Sequence, residues 1–242
     1  MATNSSGSVR AGRFAGIAAA VAFVLGPTVA FLGIASPMTG FGVFGLAGLL
    51  ALVTIVLGLV TAARAGMAAA GPSLGLGIGL VVAFLVVAMP GCGVPRINDI
   101  TTSPTAPPEF ERAGSLPGNE GRDMSYPGES FAAQQRDAYP DLAPLRLDAA
   151  PAEAFASVER VARDTPRWEI TRIDSEQRQL EGVATSRVFR FRDDFIVAVE
   201  AADGGGSVVQ MRSKSRDGKS DLGANAARIQ SFFERLQADT DG

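Results

Sequence analysis

Three apolar runs fill the first 90 residues, and no acidic residue interrupts them. Through Pro95 the only charges are Arg10, Arg13 and Arg64. Residues 14–35, at 1.5 Å per residue, can cross roughly 30 Å of hydrocarbon. A turn-like break at residues 36–40 precedes a second run, 41–63, which Arg64 ends. Gly71-Pro72-Ser73 then opens a third, 74–89, which spans only if its flanks contribute. A cleaved signal peptide is the other reading of the first run, but two further spans follow it and it exceeds a usual signal core. The expectation is three membrane helices.

The arginines orient them. Arg10 and Arg13 precede the first span and Arg64 lies between the second and third, while the first loop carries no charge. The positive-inside rule then gives a cytoplasmic N-terminal tail (1–13), helices within 14–90 and a C-terminal part outside the cytoplasm, in a bacterial inner or plasma membrane. No ionisable residue lies within a span, which disfavours a pump or proton-coupled transporter. The bundle reads as an anchor. Gly71, Gly75 and Gly79 recur four apart, as do Gly12 and Gly16, a spacing that serves packing among the three helices or homo-oligomerisation through the third. Cys92 follows Met-Pro-Gly, a poor fit to a lipidation signal, and reads as a small residue at a helix end.

From Arg96 onward the chain changes character, with 19 basic and all 25 acidic residues, a net charge of −6. That balance does not suggest nucleic acid as a partner. The chain has no histidine and one cysteine, so Ser-His-Asp and Cys-His catalysis, an intrachain disulfide and a Cys/His zinc site are all excluded. No metal and no cofactor is expected.

Residues 91–140 are rich in Pro, Gly, Ser and Thr and suit either a disordered tether or an extended arm. Phe110, Tyr126, Phe131 and Tyr139 supply anchors for packing on the domain that follows. That domain, 141–238, shows regular patterning. Leu145 and Leu147 alternate as in a strand; Pro151, Phe155, Val158 and Ala162 mark a helix; Trp168 and Ile170 alternate again. Residues 180–185, 188–191, 195–199 and 207–213 read as strands, with Arg192-Asp193-Asp194 as a turn. Leu222, Ala226, Ile229, Phe233 and Leu236 form a helical stripe, with Asp221 at the N-cap and 239–242 as a tail. The order strand, helix, about four strands, helix implies an α+β fold with an antiparallel sheet, of helix-grip or TBP-like type.

The densest polar stretch is 212–229. Gly218-Lys219-Ser220 imitates the end of a phosphate loop, but Ser213 stands where the first glycine belongs, so a P-loop is rejected. Two uses remain for Arg212, Ser213, Ser215, Arg216, Lys219, Asp221, Asn225 and Arg228. They either bind an anion at the helix start or brace the strand and cap against each other.

Pro95-Arg96-Ile97-Asn98-Asp99-Ile100-Thr101-Thr102, Pro107-Pro108-Glu109-Phe110, Tyr139-Pro140, Phe189-Arg190-Phe191-Arg192-Asp193-Asp194 and the blocks of 212–229 resemble the domain of unknown function 1499 family over roughly residues 95–238. The resemblance implies that the Arg96 segment, with Asn98 and Asp99, belongs to the domain. It implies no activity or catalytic residue. Three functions follow in order: a membrane-tethered module binding a lipid or anionic head group; a scaffold binding another envelope protein; and a histidine-free hydrolase using Ser215 or a carboxylate.

Overall fold

The computed structural model describes residues 2–240; Met1 and residues 241–242, the extreme ends of the two expected tails, lie outside the described residues. The chain forms two compact units, residues 1–92 with 188–190, and residues 93–187 with 191–242.

The first unit contains α1 (Ala2–Phe31), α2 (Pro37–Ala65) and α3 (Met67–Ala88). Each has a stretch long and apolar enough to span a membrane: Ser6–Phe31, Pro37–Ala65 and Met67–Ala88. The helices run longer than the apolar runs. The expected N-terminal tail is already helical within α1, which continues through Pro27.

Both turns differ in place from expectation, for local reasons. Ser36 caps α2, its Oγ accepting from Thr39 N at 3.1 Å with Pro37 in the first turn, so the break ends at residue 36. The second turn is Gly66 alone, at φ +86°, where a residue with a side chain would be strained. Pro72 is consequently carried inside α3 rather than opening it.

Small residues bring α1 and α2 together. A methyl added to Gly26 would sit 2.5 Å from the Gly40 carbonyl oxygen, and one on Gly40 equally close to Ala30 Cβ. Gly77 similarly meets the Ala51 carbonyl and Ile55. Gly71, Gly75 and Gly79 take no part, since a methyl on any of them meets nothing within 4 Å. The third-helix stripe thus faces away from the other two helices, whereas Gly12 packs against Ser73 and Leu57, and Gly16 against Leu76 and Thr54. Thr54 and Thr61 donate to the Leu50 and Leu57 carbonyls, so neither hydroxyl is left unpaired among apolar neighbours.

The second unit is α+β, with an open antiparallel sheet. Its elements are β1 (Asp99–Thr101), α4 (Glu129–Ala138), β2 (Leu145–Leu147), α5 (Pro151–Arg163), β3 (Trp168–Asp174), β4 (Gln179–Thr185), β5 (Arg192–Ala201), β6 (Ser207–Ser215) and α6 (Ala224–Thr240). Strands β3 to β6 form a meander; β1 and β2 both pair with β6, opposite residues 212–214 and 207–209 respectively.

Several expectations are corrected. Residues 188–191 are not a strand, and Arg192-Asp193-Asp194 is not a turn. These three residues begin β5, paired to Thr185, Ala184 and Val183 of β4. Two aspartates opening a strand imitate turn composition, and only their cross-strand partners reveal the ladder. Helix α4 lies in the stretch read as an arm without periodicity, because most of its surface is polar. Helix α6 runs to Thr240, into the expected tail.

The period-2 alternation gives the sheet two unlike faces. One is apolar: Trp168, Leu180, Phe195, Val197, Val209 and Met211 form a continuous core with Phe155 and Val158 of α5 and Ile229, Phe232 and Leu236 of α6. The opposite face carries Glu181, Ile196 and Arg212 in one cross-strand row, with Asp194 and Lys214 in the next. Charge on a central sheet face requires a cover that supplies partners, and the segment before α4 provides one.

We predict that Gly26→Ala destabilises the helical unit by about 1–3 kcal/mol through overpacking. Gly42→Ala, where a methyl meets nothing within 4 Å, should be neutral; thermal unfolding in detergent compares them.

Candidate functional site

Arg212 is fully buried, and its guanidinium is used on every side. Nε and Nη2 donate to Asp99 Oδ1 and Oδ2 at 2.9 and 2.8 Å, a bidentate pair. Nη1 donates to the Pro108 carbonyl at 3.2 Å and Nη2 to that of Met124 at 2.9 Å. Phe110 and Tyr126 lie with ring centroids 4.8 and 5.5 Å from its central carbon, within cation–π range. Lys214 Nζ donates to the same Asp99 carboxylate at 2.7 Å. Burial, followed by the nearby Asp99 charge, pushes the Tyr126 phenol up to about 12.

A second cluster faces α6. The Arg228 guanidinium donates to Ser213 Oγ at 2.8 Å, to Asn225 Oδ1 and to Asp193 Oδ2. Asn225 Nδ2 donates to Ser215 Oγ at 3.0 Å. On the opposite face, under the arm, Arg216 pairs with Asp194 through Nε and Nη2, and Asn119 Nδ2 donates to the same carboxylate at 2.8 Å. Asn98 Nδ2 donates to the Gly218 carbonyl at 2.8 Å. Asp221 accepts the Gly223 and Asn225 amides ahead of α6. Burial pushes its carboxyl above the ordinary value, against the effect of those two amides.

The sequence-expected residues are therefore brought together, but toward one another. Arg212, Ser213, Ser215, Arg216, Asp221, Asn225, Arg228, Asn98 and Asp99 each hold partners within the domain. Arg96 and Lys219 are exposed, with no carboxylate in ion-pair distance among the described residues. Ser215 has no lysine within hydrogen-bond distance among the described residues; its hydroxyl accepts from an amide, which is no base.

Sequence reasoning missed the arm's contributions. The fully buried Glu181 carboxylate accepts the amides of Glu111, Arg112 and Ala113 at 2.9–3.1 Å. Gln135 of α4 accepts from Thr101 N at 3.0 Å and donates to Thr101 O at 2.6 Å, standing in for a strand. The only sequence signal was a lone glutamate within an apolar strand.

Also missed was a cleft of about 420 Å³ where the start of β3 and the end of β4 meet α6. Arg167, Arg187, Arg228 and Arg235 line it, with Thr165, Thr185, Ser186 and Ser231; Trp168, Phe232 and Ala184 give it apolar surface. No aspartate or glutamate lines it among the described residues. Arg228 is matched by Asp193, whereas Arg167, Arg187 and Arg235 have no carboxylate in ion-pair distance among the described residues. Arg235 Nη1 donates to Thr165 Oγ1 at 2.6 Å, which fixes one wall. Arg167 sits at φ +64°, a left-handed conformation that costs an L-residue roughly 1–2 kcal/mol. Of the residues singled out from sequence, Arg228 alone lines this cleft.

Comparison with known proteins gives one result. A family described as Protein of unknown function (DUF1499) matches residues 99–236, more than half of the chain. No curated protein and no solved structure matches.

Asp99→Asn should destabilise the domain by about 3–5 kcal/mol, because it leaves two buried cations without their anion. Lys219→Ala, at an exposed unpaired site, should stay within about 0.5 kcal/mol. Urea unfolding followed by the fluorescence of Trp168, the only tryptophan, measures both.

Proposed function

The chain belongs to the DUF1499 family of proteins of unknown function, and on that premise we propose that it is a membrane-anchored, non-catalytic module whose soluble domain binds the anionic head group of a membrane lipid. The cleft carries this reading: three arginines without a carboxylate in ion-pair distance among the described residues line one concave surface, and no described aspartate or glutamate shares that lining. Unopposed guanidiniums lining one cleft favour a phosphate-bearing ligand, whose oxygens match their planar donors. The volume lies within the roughly 300–1,000 Å³ usual for small-ligand sites.

The arginine pattern supports an outward-facing domain, beside the outer leaflet. Arg10 and Arg13 lie in the N-terminal part of α1, ahead of its uninterrupted apolar run, and Arg64 in the last turn of α2, beside the turn to α3. A second reading, a scaffold for another envelope protein, is favoured by the close filling of the space between sheet and final helix. There Phe195, Ile229, Phe232 and Leu236 are all buried. Hydrolysis by Ser215 gains no support from an amide-bonded, buried hydroxyl.

Native mass spectrometry of the detergent-extracted full chain tests the primary reading. Anionic lipid should be retained over zwitterionic lipid, and Arg167→Glu with Arg187→Glu should lower that retention at least fivefold. Absence of any preference for anionic lipid would remove the head-group reading and leave the scaffold.

A further inference from the structure

We infer that the group recognised in the arginine cleft is a phosphate monoester rather than a phosphodiester, an inference that rests on the head-group reading above. The reasoning begins with charge. Arg228 is balanced by Asp193, so the cleft carries the uncompensated charge of Arg167, Arg187 and Arg235, and among the described residues no carboxylate lines it to reduce that excess. A diester brings one negative charge. A monoester brings about −1.5 to −2 at neutral pH, with three terminal oxygens.

The donors also come from three separate elements, so more than one oxygen of a phosphate can be met at once. Arg167 comes from the turn before β3, Arg187 from the link between β4 and β5, and Arg235 from α6. The hydroxyls of Thr185, Ser186 and Ser231 lie along the same lining. Arg235 is held by Thr165, so part of the cationic wall is preorganised before a ligand arrives. Pro166, Trp168, Ala184 and Phe232 offer apolar contact to whatever body the phosphate is attached to. The ligand class is thus an organic phosphate monoester, from a monoester lipid or from a soluble phosphate compound.

The lone tryptophan lies in the cleft and reports occupancy directly. The test titrates the full chain in detergent, at fixed ionic strength and pH 7.5, following Trp168 fluorescence with calorimetry as a second readout. The probes are short-chain phosphatidic acid, short-chain phosphatidylglycerol and inorganic phosphate. Phosphatidic acid should bind at least tenfold more tightly than phosphatidylglycerol. That preference should fall away as pH drops to 5, because the second ionisation of a monoester has a pKa of about 6. The chain has no histidine to imitate this titration, and the diester serves as the control for any carboxyl group of the protein.

Arg167→Asn and Arg187→Gln should each weaken phosphatidic acid binding at least fivefold without lowering Tm. Asparagine tolerates the left-handed backbone at position 167, and Arg187 is exposed. Equal affinity for the two lipids overturns the monoester inference and leaves the head-group reading standing. Binding of inorganic phosphate but of neither lipid retains phosphate recognition and overturns the lipid as its source. Silence of all three probes in both readouts overturns the inference and the head-group reading together.

Discussion

The bidentate pair between Asp99 and Arg212 is the contact on which the second unit depends. Both side chains are withdrawn from water, and the guanidinium stays in place only because the Pro108 and Met124 carbonyls occupy donors that Asp99 does not. A buried ion pair in isolation is weak grounds for stability, since desolvation offsets the attraction. Here the pair does something else. It makes the segment from Asp99 to Tyr126 an obligatory cover, because removing that cover would expose one face of the sheet with its cations and carboxylates unpartnered. Glu181 repeats the arrangement at the other side of the row by holding three consecutive arm amides.

That constraint explains where the domain begins. Composition alone leaves residues 91–140 divided between tether and arm, because proline, glycine and serine serve both. The decisive partners are far away in sequence: Asp99 with Arg212, Asn119 with Asp194, Glu111 with Glu181. Helical and strand periodicity gave α5, α6 and most of the meander, since those elements bury one apolar face. The same periodicity is silent where the buried face is charged, and Asp193-Asp194 therefore looked like a turn until paired with Ala184 and Val183. The apolar helices were plain from length and composition, whereas the turn at Gly66 depends on a single positive φ that composition does not mark. The residues chosen as a site from 212–229 were chosen for density of charge, and density proved to be mutual neutralisation.

The cleft inverts that lesson. Its arginines are scattered through the sequence at 167, 187, 228 and 235, so no local cluster announces them. Their meaning comes from what is absent nearby: Arg212, Arg216 and Arg228 are matched to carboxylates, whereas Arg167, Arg187 and Arg235 share a lining in which no described aspartate or glutamate stands. Apolar packing builds the cleft that they line. Trp168 packs against Phe195 and Phe232, which fixes the start of β3 against α6 and sets the two walls of the cleft. The core builds the frame, the buried ion pairs seal the opposite face, and three arginines without a carboxylate partner among the described residues line one end of the sheet.

Amide hydrogen exchange on the full chain tests the central claim that the arm is sealed into the domain by buried charge. Glu111, Arg112 and Ala113, whose amides bind Glu181, should exchange with the same opening free energy as Phe195 and Met211 in the core. Rapid exchange of those three amides while the core remained protected would show a loosely attached arm and contradict the account.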